Sequence, residues 1–213
     1  MEHEDVIVRR IDEVPWKDAE RVFGTRGDPA RCWCQFYKLA NAEWSKLGGD
    51  GCAPLLRAQV DDARERGEAI PGLVAYLGDE PVGWVAVEPR THFPTALRGR
   101  VVTGGSAEAA NDETVWAVVC FVVRVGYRRR GVARALAYAA VEHARASGAR
   151  VLEGYPVDVN EREKVSSAEL YHGTVSLFED AGFRVTARPI PGRALVSLTM
   201  DRAAYAQPNR RSV

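Results

Sequence analysis

The chain has 213 residues, 46% of them hydrophobic and 27% charged, with Lys plus Arg and Asp plus Glu balanced at 29 each. That composition suits a single globular domain with a real core, and it carries no net charge to draw the chain to nucleic acid or a membrane. No apolar stretch reaches the roughly 20 residues that span a bilayer; the charged start MEHEDVIVRR does not read as a signal peptide, and the four cysteines are read as reduced thiols of a cytoplasmic protein.

In chain order, VIVRRI (6–11) predicts a first strand. VPWKDAERVFG reads as a helix, with Pro15 near its start and Gly24 as its stop. The aromatic-rich CWCQFYKLANAEWSKLGGDG follows and ends in a glycine cluster. In CAPLLRAQVDDARERGE, Leu55, Leu56, Val60 and Ala63 recur at helical spacing, with Gly67 as terminator. PGLVAYLGDEPVGWVAVEP predicts a hairpin about Gly78-Asp79-Glu80. Residues 90–113 are polar and glycine-containing, a loop long enough to be either mobile or functional.

TVWAVVCFVVRV (114–125) is apolar on both faces, as a central strand covered by helices on each side would be. Val132, Ala135, Leu136, Ala139 and Ala140 then mark one stripe of a helix closed by Gly148. ARVLEGYPV is the next strand, a parallel neighbour of the central one. A second helix around 168–181 stops at Gly182, and FRVTARP and ALVSLTM are the last strands. The expected architecture is one α/β domain with a mixed sheet, its core spanning about 6–200 and a tail from 203 to 213.

The stretch GYRRRGVARAL (126–136) raises a question of charge, because three arginines and a glycine crowd the point where a buried strand becomes a helix. A helix N-terminus exposes unpaired N–H groups and the positive end of its dipole. Glycine lets an anion approach the backbone, and Arg128, Arg129, Arg130 and Arg134 add charge-assisted donors. The corner therefore predicts a phosphate site. It lacks the lysine-serine pair of a nucleotide-hydrolysing loop and the three spaced glycines of a dinucleotide fold. By itself the spacing is also that of a solvated basic turn.

VVRVGYRRRGVARAL resembles motif A of the GCN5-related N-acetyltransferases (GNAT family), through Val123, Tyr127, Arg128, Gly131, Ala133 and Leu136. Val125 stands where that motif commonly has proline. LFEDAGF (177–183) is similar to the family's C-terminal L-Y-x-x-x-G-F box, and the order of elements fits over roughly 6–200. The resemblance implies a central splayed mixed sheet and acetyl-CoA as cosubstrate. Its pyrophosphate would lie on the backbone from Arg129 through Val132 to Arg134, and its pantetheine along Phe121, Val122 and Val123, with 151–157 as the parted partner strand.

Acetyl transfer to an amine needs a route for the amine's proton, a donor for the oxyanion and a fit between reactants. The family's tyrosine in the C-terminal box protonates the thiolate; here that position is Phe178, and the asparagine seven residues earlier is Tyr171. Tyr171 is thus a candidate acid, or else a half-buried helix tyrosine. Glu88, at the end of GWVAVEP, is the candidate base, or else a solvent-facing strand-end glutamate. Cys120 lies in an apolar run, where burial would make it inert.

Trp33, Phe36, Tyr37 and Trp44 border the acceptor pocket in the family topology, and His92 with its loop is expected to close over it. Cys32-x-Cys34 has the wrong spacing for a zinc knuckle, so no metal is expected. The reading is a direct acetyl transfer to a primary amine of a small molecule, with no nucleic-acid or membrane partner and with a homodimer left open. Two alternatives stand: transfer to a protein or peptide amine, and a non-catalytic acyl-CoA-binding module.

Overall fold

In the computed structural model, residues 5–162 and 164–200 are described. Along the chain run β1 (Val6–Arg10), α1 (Trp16–Phe23), α2 (Gly27–Cys32), α3 (Asn41–Arg66), β2 (Gly72–Leu77), β3 (Glu80–Pro89), α4 (Pro94–Leu97), α5 (Arg100–Thr103), β4 (Val115–Val123), α6 (Val132–Ala146), β5 (Val151–Gly154), α7 (Val175–Asp180), β6 (Arg184–Ile190) and β7 (Arg193–Thr199). The strands form one sheet in the order β1-β2-β3-β4-β5-β7-β6. Every neighbouring pair is antiparallel except β4 with β5. The expected tail at 203–213 lies outside the described residues. Among the described residues no helix is long and apolar enough to cross a membrane.

The sheet is covered on both faces, which is why β3 and β4 are apolar almost throughout. Gly83 of β3 faces α6 closely: a Cβ there would come within 2.7 Å of Val132 and 3.0 Å of Leu136. Trp84, one residue on, points the other way and meets Phe23 of α1 at 5.5 Å. The buried stripe of α6 is Val132, Leu136, Ala137, Ala140, Val141 and Ala144. The expected Ala135 and Ala139 sit at its edges, half-buried.

Three segments differ from the sequence expectation. The helix expected over 52–68 begins at Asn41, with a break at Gly48 (φ 64°, ψ 178°). The expected loop 90–113 contains two short helices, α4 and α5, and is pinned rather than mobile. Its anchor is Arg90, fully buried, whose guanidinium donates to Glu153 (2.9 Å), Ser106 (2.6 Å) and the carbonyl oxygens of Glu108 and Ala109 (3.1 and 2.7 Å). The helix expected over 168–181 is two pieces, a 3-10 turn at Glu169–His172 and then α7. Gly173, at φ 76°, turns the chain between them, and Thr174 caps α7 by accepting the Leu177 N–H at 3.3 Å.

Two features of β4 create a site. Ala86 faces Cys120 whereas Val87 faces Val118, so Val119 is an extra residue, a β-bulge. β5 pairs with β4 only over Val115–Val118 and ends at Gly154. Beyond that point the chain swings away, and Val157 bridges instead to Thr174 and Arg193. The sheet therefore parts alongside residues 119–123. Phe178 fills the base of this split, fully buried and edge-on to Phe121 and Phe183 at 5.7 and 5.0 Å.

Candidate active site

Two cavities meet at the split. The first, of about 400 Å³, lies on the α6 side. Phe121 and Val123 of β4 form its back, and Arg128, Arg129, Gly131, Val132, Ala133 and Arg134 form the corner. Leu170, Tyr171, Gly173 and Leu177 face them across the gap. Arg129 (φ 61°) and Gly131 (φ 80°) are both left-handed, which bends the chain into the first turn of α6. A Cβ on Gly131 would meet nothing within 4 Å, so open space lies directly over the helix N-terminus. This is where an anion would gain most from unpaired N–H groups.

Two residues expected at this site look elsewhere. The Arg130 guanidinium lies over the Tyr127 ring at 5.5 Å, as does that of Arg124 at 5.1 Å. Val122 turns its side chain to the second cavity, as alternation along β4 requires.

The second cavity, of about 480 Å³, lies on the α1 side. Phe36, Tyr37 and Trp44 line it, as the aromatic segment implied, together with Phe23. Phe36 meets Tyr37 and Trp44 edge-on at 5.1 and 5.7 Å. Trp33 does not reach it: its ring stacks on Trp16 and Phe23 at 5.6 and 4.4 Å, and its indole N–H donates to the Ala30 carbonyl. Cys120 does reach it. The bulge at Val119 puts Cys120 on the same face as Ala86 and Ala117, half-buried against the cavity with Cys32 and Cys34 rather than sealed in the core. Burial, with Cys34 beside it, pushes the Cys32 thiol up to about 12, and Cys34 is raised well above its ordinary value by its contact with Cys120 and by burial. Both are poor nucleophiles. Among the described residues no group of three His, Cys, Asp or Glu side chains is placed to hold a metal ion.

Glu88 and His92 line neither cavity. Glu88 is 3% exposed, forms an ion pair with Lys38 and lies within hydrogen-bond distance of His92 Nδ1, at 2.9 Å. Burial alone would raise its pKa, but Lys38 and His92 outweigh it and hold the carboxyl below its ordinary value. Lys38 also donates to Gln59 at 2.8 Å, and Gln59 donates to Gln35 at 2.9 Å. Thr95 donates its N–H to the Tyr37 carbonyl and its hydroxyl to Leu39. The segment after β3 thus braces the aromatic wall from below, with Phe93 fully buried. It does not fold over the pocket as a cover.

Tyr171 lines both cavities. Burial and the nearby Asp28 raise its pKa against the opposing Arg128, so the phenol keeps its proton at neutral pH. Its neighbour His172, to which the sequence reading gave no role, lines the acceptor side. His172 Nδ1 lies 3.2 Å from the Val119 carbonyl, which can only accept, so Nδ1 carries the hydrogen and Nε2 keeps a lone pair, with the Tyr37 hydroxyl 3.4 Å from it. Burial, reinforced by Arg193, pushes His172 down to about 4, leaving it neutral. Nothing local in the sequence marks it; its contact with the bulge joins residues far apart in the chain.

Comparison with known proteins places this geometry. The sequence profile of the acetyltransferase (GNAT) family matches residues 33–165. No curated protein matches the chain. Solved structures do match in fold. The structure of yncA from Salmonella typhimurium, with its cofactor acetyl-CoA, superposes with a TM-score of 0.54 at 14% identity, over 97% of this chain and 99% of that one. The PaiA N-acetyltransferase from Thermoplasma acidophilum, in complex with coenzyme A, gives 0.52 at 10% identity, over 92% and 99%. An N-acetyltransferase from Staphylococcus aureus Mu50 gives 0.52 at 13%, again over 92% and 99%.

Proposed function

The chain belongs to the acetyltransferase (GNAT) family, and from that premise we propose that it moves an acetyl group from acetyl-CoA to a primary amine of a small molecule. The observation that carries this reading is the meeting of two unlike cavities at Tyr171, one cationic at a helix N-terminus and one aromatic. The corner residues fit the cosubstrate. The open space over Gly131 suits a diphosphate, Arg128, Arg129 and Arg134 supply countercharge, and the unpaired edge of β4 suits an amide-bearing tail. Bound there, acetyl-CoA supplies an activated thioester.

The remaining chemistry belongs to side chains. Holding both reactants at one junction converts an encounter between two molecules into a local event. One proton must leave the amine nitrogen and one must reach the departing sulfur. The neutral His172, held through Nδ1 by the Val119 carbonyl, accepts the first at Nε2. The Tyr171 hydroxyl donates the second, a role for which Phe178 has no proton and no access, being fully buried. Glu88 acts one layer away as a positioning residue, through Lys38, on the aromatic wall. A cavity of about 480 Å³ suits a small acceptor better than a peptide segment.

Calorimetry with acetyl-CoA and a coenzyme-release screen over amine classes test the proposal. Acetyl-CoA binding together with turnover of at least one small amine is expected. Binding without turnover on any amine would favour a non-catalytic acyl-CoA-binding module, and absence of binding would sink the transferase reading.

A further inference from the structure

The second cavity also says what charge its occupant carries, provided the transferase reading holds. Its walls are aromatic and thiol-bearing, and Phe36 remains 44% exposed at the mouth. The buried carboxylates on this face of the sheet are spent. Glu88 is paired with Lys38 and His92, and Glu153 with Arg90, Ser106 and Tyr155. The carboxylate that does line the cavity, Asp28, is solvent-exposed at the start of α2, and Arg31 of the same helix lines the cavity with it. The Arg193 guanidinium acts on both Tyr37 and His172 from behind.

An ammonium group moved to the junction would thus meet apolar walls, a neutral imidazole and one exposed carboxylate, Asp28, outnumbered by the guanidinium groups of Arg31, Arg128 and Arg193. Desolvating a cation in such a net-positive setting is unfavourable. Ring faces attract a cation, but the surplus of guanidinium groups around the junction repels it, so a charged amine is disfavoured there. A neutral amine on a ring carries no such penalty and can use the ring faces directly through offset or edge-on contacts.

We infer that the acceptor is a primary aromatic amine, which enters uncharged because its lone pair is delocalised into the ring. In the transfer the nitrogen gains the acetyl group and loses one N–H proton to His172, and coenzyme A leaves as the thiol with the Tyr171 proton. An amine that is already neutral needs no separate deprotonation before attack. That suits a site whose acceptor is a weakly basic imidazole.

The test uses the full chain with acetyl-CoA and three amines. p-Toluidine is a ring with a neutral amine, benzylamine a ring with a cationic one, and spermidine a cation with no ring. Expected is a kcat/KM for p-toluidine about tenfold or more above that for benzylamine at neutral pH, flat up to about pH 9, while benzylamine gains roughly tenfold per pH unit as its neutral fraction grows. Arg31→Glu should narrow the gap several-fold by giving the cation a partner, and Phe36→Ala should raise KM for p-toluidine with little change in kcat. Preference for spermidine or benzylamine overturns the inference, as does a p-toluidine rate unmoved by both variants. Calorimetry separates the two levels: acetyl-CoA binding without aromatic-amine turnover defeats this inference alone, and no binding defeats the transferase reading and this with it.

Discussion

The two cavities that meet at Tyr171 are built on different principles. The cosubstrate side is made mainly of backbone: the N-terminus of α6, the left-handed bend at Arg129 and Gly131, and the unpaired edge of β4. Nearly half of its lining comes from one short stretch, 127–134. The acceptor side is made of side chains from segments brought together by the fold, with Phe36 and Trp44 on one flank, Cys120 on the floor and His172 at the junction. A backbone site is specific for a chemical group that many ligands share. A side-chain site is where one ligand is distinguished from another, and its shape depends on whatever packs behind it.

That contrast can be broken most sharply at the support of the acceptor wall. Glu88→Gln removes one partner of a buried ion pair and leaves Lys38 charged, which should cost roughly 3–5 kcal/mol of stability and lower the melting temperature. The sign with pH follows from the depressed carboxyl pKa. The stabilisation is present above the unfolded value of about 4.3 and is lost as pH falls through the folded value. The melting-temperature gap between wild type and variant should therefore be full at neutral pH and close in acid. A gap that widened in acid would refute the pairing.

Next comes the corner. Gly131→Asp forces a side chain into a left-handed residue and sets a negative charge over the helix N-terminus. Acetyl-CoA affinity by calorimetry should fall about 100-fold, with the melting temperature changed far less than by Glu88→Gln. At the junction, Tyr171→Phe should lower kcat by about 10- to 100-fold with acetyl-CoA affinity nearly kept. Equal loss of binding would make Tyr171 a wall residue instead of an acid.

Histidine titration gives a gentler probe. His172 and His143 both fall to about 4 in the folded state, chiefly through burial. The unfolded chain takes up protons first, near 6.5, so stability should be full above that pH and decline as pH drops towards about 4. His172→Gln should flatten part of this slope in acid-unfolding curves, and an unchanged slope would mean that His172 titrates normally. The smallest effect is expected at Arg130, which leans on Tyr127 and does not line the corner. Arg130→Ala should change acetyl-CoA affinity about twofold, against about tenfold for Arg128→Ala.

Legibility followed the same division. The central strand, the basic corner and the following helix could be read because each is a short run whose pattern reports its own surroundings. The Gly173-Thr174 break was missed: a glycine followed by a capping threonine before a short apolar helix was its signal, but helical spacing across 168–181 concealed it. The pinned segment after β3 was not readable. Its polar composition resembles that of a loop, and its order comes from Arg90 reaching Glu153, a partner 63 residues away.

Taken alone, the sequence determined where a buried strand turns into a helix beneath clustered arginines, because hydrophobic period, glycine and charge act over a few neighbouring residues. Tertiary structure alone decided which side chains face the acceptor. One extra residue at Val119 sets the direction of Cys120 and offers its carbonyl to His172, and Lys38 with Arg90 neutralise the carboxylates on that face. Strand register and long-range ion pairing join positions far apart in the chain, so no local pattern could have announced them.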